Sequence, residues 1–268
     1  MRLASEPLNP KRREEVQWIS FNQSAVEGGS IMGMHDVIQE HLPFTASVLA
    51  VCAHPDDESF GLGAALSTWA DQGTRVSVLS FTHGEASTLG ANRGNLHQLR
   101  ANELATAAGE LGVETVRLLK YPDGRLTEEP SDKLSADVRS AVELVDASLL
   151  LVFDEGGITG HSDHVRATEI ATAVAGEIGI PVLGWALPEA IAAQLNDEFA
   201  ATFVGRHREE IDLSVEVDRS RQHRAIRCHA SQSSENPVLW RRLELQGDRE
   251  VLRWLDPGHA MVGSQPSA

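Results

Sequence analysis

Ser47-Val48-Leu49-Ala50-Val51-Cys52, followed at once by Ala53-His54-Pro55-Asp56-Asp57-Glu58, is the stretch that decides the fold. The first six residues form an unbroken apolar run of strand length, the pattern of a strand buried on both faces inside a parallel sheet. The next six contain Pro55 and three acids. The chain therefore leaves the strand in a stiff turn and enters a helix, whose first turn favours Asp and Glu. A rigid element thus ends in an imidazole and several carboxylates.

Outward from this stretch the pattern alternates as βαβ units do. A helix is predicted from about Glu58 to Ala70, with Leu62, Ala65, Leu66 and Trp69 on one stripe, and a strand over Arg75–Phe81. A helix over Leu96–Leu111 ends at Gly112, where a C-terminal cap belongs. Thr115–Leu119 is a strand leading into the turn Tyr121-Pro122-Asp123-Gly124. The spacing then predicts a helix over Ser131–Val145, a strand over Ser148–Phe153, a break at Gly156-Gly157 and a helix from about His161 to Ile178. Further strands are predicted at Pro181–Leu187 and Ile211–Val217. Asp218 caps a polar helix reaching about His229. Residues 231–258, with Asn236-Pro237 and Asp256-Pro257, read as an irregular closing segment.

The expected fold class is α/β: a Rossmann-like, mostly parallel sheet with helices on both faces, in a single domain. Residues 1–45 lack periodicity and read as a partly ordered N-terminal arm, leaving 46–268 as the domain proper. In open sheets of this kind ligands bind beyond the carboxyl ends of the strands. The turn at His54, Thr82–Glu85, Tyr121–Gly124, Asp154–Gly157 and Gly160–His164 all follow predicted strands.

The 268 residues suffice for one well-buried core, and 41% hydrophobic with 23% charged residues is ordinary for a water-soluble fold. The net charge of −16 and the absence of a basic block argue against nucleic acid or an anionic membrane as partner. No apolar run approaches the roughly 20 residues that cross a bilayer. With two cysteines, one in a predicted strand and one in a predicted helix, a disulfide framework is not expected and a cytoplasmic location is. Homo-oligomerisation is left open.

Gly160-His161-Ser162-Asp163-His164 is the second cluster, and it places His161 and His164 on one face of a first helical turn. Together the clusters offer His54, His161 and His164 with Asp56, Asp57 and Asp163. Two imidazoles and a carboxylate from this set suit a catalytic zinc that keeps one position for water. A further carboxylate would remain to move protons. Any one acid here could merely start a helix. Two such clusters at one sheet edge are not explained that way.

Ala53–Glu58 resembles the A-H-P-D-D-E signature of the LmbE-like (PIG-L) family of zinc-dependent N-deacetylases, and Gly160–His164 resembles its G-H-x-D-H motif. Thr82–Glu85, Arg100–Glu103, Tyr121–Gly124 and His229–Gln232 are similar, in order, to the family's T-x-G-E, R-x-x-E, Y-P-D-G and H-x-S-Q. The resemblance covers roughly residues 47–232. It implies that His54, Asp57 and His164 hold zinc, or Fe(II) in the same ligands. It also implies that Asp56 is the general base, that a protonated His161 stabilises the tetrahedral intermediate, and that Asp163 tunes a histidine. Arg93 and Asp123 lie where sugar-processing relatives hold hydroxyl groups, while Arg100 is read as half of a structural ion pair with Glu103 or another acid. Thr159 replaces a tyrosine of the mycothiol-pathway members.

The implied reaction is deacetylation of a small N-acetylated molecule, an N-acetylglucosaminyl compound foremost, with amidase action on a sugar–thiol conjugate as the alternative. A nucleotide-binding module is the rival from another class, since Gly61 and Gly63 follow the first strand. The G-x-G-x-x-G fingerprint is not completed, however. A serine hydrolase lacks its G-x-S-x-G elbow.

Overall fold

The chain alternates strand and helix as its pattern predicts, around one mixed sheet. The structure, a computed structural model, describes residues 38–89 and 95–255. Most of the N-terminal arm, and Arg93, lie outside the described residues. In chain order the elements are β1 (Ser47–Cys52), α1 (Asp57–Phe60), α2 (Gly63–Asp71), β2 (Arg75–Thr82), α3 (Leu96–Leu111) and β3 (Thr115–Tyr121). There follow α4 (Ser131–Val145), β4 (Leu149–Phe153), the short turn α5 (Gly157–Gly160), α6 (Ser162–Ile178), β5 (Val182–Ala186) and α7 (Glu189–Phe199). The chain closes with β6 (Leu213–Glu216), α8 (Ser220–Cys228), α9 (Ala230–Ser233), α10 (Pro237–Gln246) and β7 (Arg249–Trp254).

The 7 strands run in the order β3-β2-β1-β4-β5-β7-β6. The first five are mutually parallel, and β7 pairs antiparallel with both β5 and β6. Every residue of β1 and β4 is buried, because helices cover both faces. Val48, Ala50 and Cys52 face a core shared with Leu62, with Leu66 and Trp69 of α2, and with Ala107 and Leu111 of α3. Leu49 and Val51 face the opposite core, with Leu134 and Val138 of α4 and Ile170 and Val174 of α6. This period-2 division makes the register at the end of β1 unambiguous, since a one-residue slip would exchange the two faces.

Four departures from the sequence reading have local causes. The helix expected from Glu58 is two pieces, α1 and α2, separated at Gly61 and Leu62. Gly61 lies beneath Phe153, where an added Cβ would come within 2.3 Å of Cε1. The closing segment is regular rather than irregular. Asn236 accepts from Leu239 N–H at 3.0 Å and Pro237 stands in the first turn, so Asn-Pro starts α10 instead of breaking the chain. α7, which has no counterpart in the sequence reading, begins directly after Pro188, with no side-chain cap. Residues before 46 already pack on the domain: Gln39 bridges to β6, Leu42 is buried, and Trp69 Nε1 donates to the Pro43 carbonyl oxygen at 3.0 Å.

Candidate active site

The strand order reverses between β1 and β4, and the side chains of both clusters gather at the carboxyl ends of these neighbours. That crevice is where open α/β sheets bind ligands. The backbone is strained there. Asp56 has φ 112° and the β-branched Ile158 has φ 63°, conformations that cost energy and that cluster at functional sites. The first turn is held by its own acids. Asp57 Oδ2 accepts from Ala53 N–H (3.0 Å) and His54 N–H (2.9 Å), and Glu58 Oε2 accepts from Asp56 N–H (2.9 Å).

His54, Asp57 and His164 converge on one point. His54 Nδ1 and His164 Nε2 face each other at 3.1 Å, with Asp57 Oδ1 3.1 Å from His164 Nε2 and Asp57 Oδ2 3.9 Å from His54 Nδ1. The outer nitrogens have other partners. His164 Nδ1 lies 3.1 Å from the Gly157 carbonyl oxygen, so it carries the proton and leaves the Nε2 lone pair pointing inward. His54 Nε2 lies 3.0 Å from Asp123 Oδ1 and 3.4 Å from Asp163 Oδ2, which leaves its Nδ1 lone pair inward too. Two lone pairs and a carboxylate aimed at one point fit a divalent cation. Ligand-type atoms also lie within 4.8 Å of one another in the sets His54–His161–His164 and His54–Asp123–Asp163. The second set consists of His54's orienting carboxylates. We favour the inward set because its two nitrogens have their outward faces already occupied.

Electrostatics agree with a cation site. Burial lowers the His54 pKa, but Asp123, Asp163 and Asp57 outweigh it and raise it to about 10, so the carboxylates that would draw a second proton to the inward Nδ1 would equally draw a divalent cation in its place. Burial raises Asp57, but the charge and hydrogen bond of His164 carry it well below the ordinary carboxylate range. Asp123 and Asp163 are likewise lowered by His54 against the effect of burial. Asp163 is fully buried and accepts from Gly124 N–H (2.8 Å) and Leu126 N–H (3.1 Å), so its carboxylate is fixed in place.

Asp56 stands beside this cluster and makes a different contact. Its Oδ2 accepts from Arg100 Nη2 at 2.7 Å, and Arg100 also donates to the carbonyl oxygens of Gly84 (2.6 Å) and Pro55. Burial pushes Asp56 up to about 6 even though Arg100 pulls it down. Arg100 thus pairs with Asp56, while Glu103 accepts from Ser231 N–H (2.9 Å) and Oγ (2.6 Å). The His161 ring lies 4.8 Å from that of His54 and 5.0 Å from that of His164. Burial and those two neighbours lower its pKa, against the expectation of a protonated ring. Its Nδ1 accepts from Asp163 N–H at 3.2 Å, so the neutral tautomer carries its proton on Nε2. Asp123, expected to hold a sugar hydroxyl, lines the cavity but is engaged with His54 and with Ala86 N–H (2.8 Å). Arg93 lies outside the described residues.

Glu58, one of the acids that could merely start a helix, does more than that. It is fully buried and bonded to His229 Nε2 at 2.7 Å, and Ser59 Oγ donates to it at 2.6 Å. His229 and Ser231 therefore tie α8 and α9 to the first turn and to α3. Gln232 accepts from Ser87 Oγ at 2.7 Å and lines a cavity of about 520 Å³ that opens over the cluster. That wall also includes Phe60, Phe153, Trp185, Phe203 and Leu239, with Arg242 among them. No short motif singled out these wall residues, which are scattered along the chain.

Fold and site define a class: a doubly wound α/β protein with a histidine–carboxylate centre of metal-binding type at the strand-order switch. Residues 49–175 match the PIG-L family model, described as GlcNAc-PI de-N-acetylase. A 1D-myo-inositol 2-acetamido-2-deoxy-alpha-D-glucopyranoside deacetylase of Salinispora arenicola is 30% identical over 241 residues, covering 72% of this chain and 78% of that protein. The chain belongs to the PIG-L family. Other relatives of the same description, from Kineococcus radiotolerans and Thermobispora bispora, are matched over about half their length (52% and 49%). Among solved structures, the A40926 pseudoaglycone deacetylase superposes with a TM-score of 0.59 at 24% identity, covering 78% of this chain and 96% of that one. A 4-carboxy-2-hydroxymuconate hydratase of Pseudomonas putida gives 0.62 at 16% identity, covering 83% and 100%. At such identities these structures share the fold, and the hydratase is a reminder that the fold alone does not fix the reaction.

Proposed function

We propose that this protein is a metal-dependent N-deacetylase acting on a small N-acetylated sugar compound, an N-acetylglucosaminyl conjugate foremost. The observation that carries the reading is the inward convergence of His54 Nδ1, His164 Nε2 and Asp57, with Asp56 beside them bonded to Arg100. Named relatives in the family are deacetylases of acetylated amino sugars. His54, Asp57 and His164 would hold the ion, zinc first, with Fe(II) suited to the same donors. When bound, it would supply Lewis-acid polarisation of the amide carbonyl and lower the pKa of water.

The chain's own residues do the rest. Asp56 takes the proton of the attacking water and returns it to the departing amine, so that the C–N bond breaks to acetate and a free amine. Its depth in the site raises its basicity, and Arg100 fixes its direction. Neutral His161 donates from Nε2 to the developing oxyanion. Asp163 and Asp123 hold the His54 ring, and Arg93 remains a proposed substrate contact. Amidase action on a sugar–thiol conjugate would use the same steps. Among the described residues no helix is long and apolar enough to cross a membrane. The unpaired Cys52 and Cys228 suit a reducing cytoplasm.

The test is a panel of N-acetylated amino sugars and their inositol, malate, thiol and aryl conjugates, assayed for primary amine release by metal-loaded protein. Asp56→Ala with its metal content measured is the control. Release lost in the variant with metal retained is the expected result. No release across the panel, or undiminished release by Asp56→Ala, would overturn the proposal.

A further inference from the structure

The cavity wall carries a charge that deacetylation does not use. Arg242, on α10, lines the cavity yet is only 5% exposed. Its guanidinium donates to Gln246 Oε1 and to the Phe60 carbonyl oxygen, both uncharged acceptors, and lies 5.0 Å over the Trp185 ring. A guanidinium has more N–H donors than these contacts consume.

Among the described residues no carboxylate forms an ion pair with Arg242. Glu250, the acid buried nearby, is taken by Arg219, by Trp185 Nε1 at 2.5 Å and by Gln246 Nε2 at 3.3 Å. Arg219, Arg242 and Glu250 thus form a buried layer with one more cation than anion. Buried charges are ordinarily matched, because an unmatched one is costly to desolvate. Burial lowers the Arg242 pKa to about 10, with Glu250 pulling it back up, and the group stays cationic at neutral pH.

Arg242 also shares a continuous wall with the candidate metal ligands. The His164 ring touches Phe153 (4.8 Å between centroids), Phe153 touches Trp185 (5.5 Å), and Trp185 lies under Arg242 (5.0 Å). A substrate with its acetamide at His164 would lay its remainder along this row of rings. The rings suit an apolar or aromatic portion, and the cation beyond them suits an anion.

We propose that Arg242 is a specificity-determining residue that receives an anionic group, a carboxylate or a phosphate, carried on an apolar or aromatic aglycone seated against Phe153 and Trp185. This deepens the deacetylation reading and rests on it for the placement of the acetamide. The competing role is purely structural, a tie from α10 to the Phe60 carbonyl. The experiment must separate the two.

Phenyl, 4-carboxyphenyl and 4-phosphophenyl 2-acetamido-2-deoxyglucosides serve as probes. On metal-loaded protein, kcat/KM for amine release is measured for each. Dissociation constants are measured by calorimetry on metal-loaded Asp56→Ala. A charge-assisted contact gives the anionic conjugates an advantage of about 10- to 100-fold over phenyl, and the two anionic arms tell carboxylate from phosphate. Arg242→Gln should bring the ratio towards one, and Arg242→Lys should keep part of it. A structural tie would lower all three substrates together and leave the ratio unmoved. The proposal is overturned if the anionic conjugates bind no better than phenyl to the Asp56→Ala protein, or if their preference survives in Arg242→Gln. Absence of amine release with the binding preference intact would instead sink the deacetylation reading and leave the anion subsite standing. Should Arg242→Gln fail to fold, the charged-to-neutral ratio of the otherwise native protein and of Arg242→Lys still decides.

Discussion

Replacing His229 with Phe should destabilise the domain severely, although residue 229 is far in sequence from the first turn. In the structure His229 and Glu58 are both fully buried, and the imidazole is the carboxylate's only cationic partner among the described residues. Phe fills the same space and keeps the edge-on contact with Phe60, now 5.9 Å between centroids. What is lost is therefore the partner of a buried charge, a loss that costs about 3–5 kcal/mol. For a domain of this size each kcal/mol moves Tm by roughly 2–4 °C, which gives a fall of about 6–20 °C. Adding Glu58→Gln removes the orphaned charge: an amide oxygen in the place of Oε2 still accepts from Asp56 N–H, and the NH2 in the place of Oε1 donates to Ser59 Oγ, whose hydroxyl can rotate to accept. The double variant should regain more than about half of the loss, since replacing a whole buried pair is often near neutral.

The pH dependence has a definite sign. Burial lowers the His229 pKa, but Glu58 raises it by more, so the folded value lies above the unfolded 6.5. The pair's contribution is then fully present below 6.5 and is lost as pH rises through the higher folded value. The gap between the unsubstituted protein and His229→Phe should shrink on the alkaline side. Thermal and urea melts followed by circular dichroism at neutral and alkaline pH measure all of this. A His229→Phe protein melting within 2 °C (on the order of 1 kcal/mol) of the parent, or a double variant no more stable than the single one, would refute the reasoning.

Asp163→Asn should weaken divalent-metal affinity by about 10- to 100-fold by loosening the His54 ring, read by competition with a chromogenic chelator; unchanged affinity would remove Asp163 from that role. Gly84→Ala should lower amine release by about 100-fold, because the new Cβ would sit 1.8 Å from Arg100 Nη1 and must push the guanidinium off Asp56; a variant with parental kcat/KM would show that Arg100 does not direct Asp56. Chelation should abolish amine release and lower Tm, with zinc or Fe(II) restoring both. Ion present at 100 times its Kd stabilises by about 2.7 kcal/mol, so a Tm indifferent to chelator would argue that the cluster holds no ion.

The half of the site built on β1 and β4 was legible because its positions are dictated by local rules. A strand buried on both faces has one register, and a Pro-stiffened turn after it can present only a few side chains to the crevice. Hence His54, Asp56 and Asp57 could be singled out, with His161 and His164 from the start of α6. What could not be read was which nitrogen faces inward, because that depends on the Gly157 carbonyl in α5, on Asp123 in the turn after β3 and on Asp163 in α6, which meet only in the folded chain. The role of Glu58 is hidden for the same reason. An acid at a helix start looks self-sufficient in sequence, and its partner His229 arrives only when α8 packs against α1.

The closing segment failed for a subtler reason. Asn236-Pro237 is an ambiguous signal that either stops an element or caps the next one, and only the covered face of α10 decides between them. Yet this segment, with α10 and β7, supplies Leu239, Arg242 and Glu250 on or behind the cavity wall. Reaction and recognition are therefore written in different registers of the chain. The chemistry must meet one carbonyl in a fixed geometry, so its residues sit on strand ends and recur as compact motifs. The aglycone wall has only to be apolar in shape and cationic at one point, conditions that many sequences satisfy. A substrate preference should accordingly be movable by changes in α10 alone, with the metal ligands untouched. The charged-to-neutral ratio at Arg242 is the quantity in which such a change would first register.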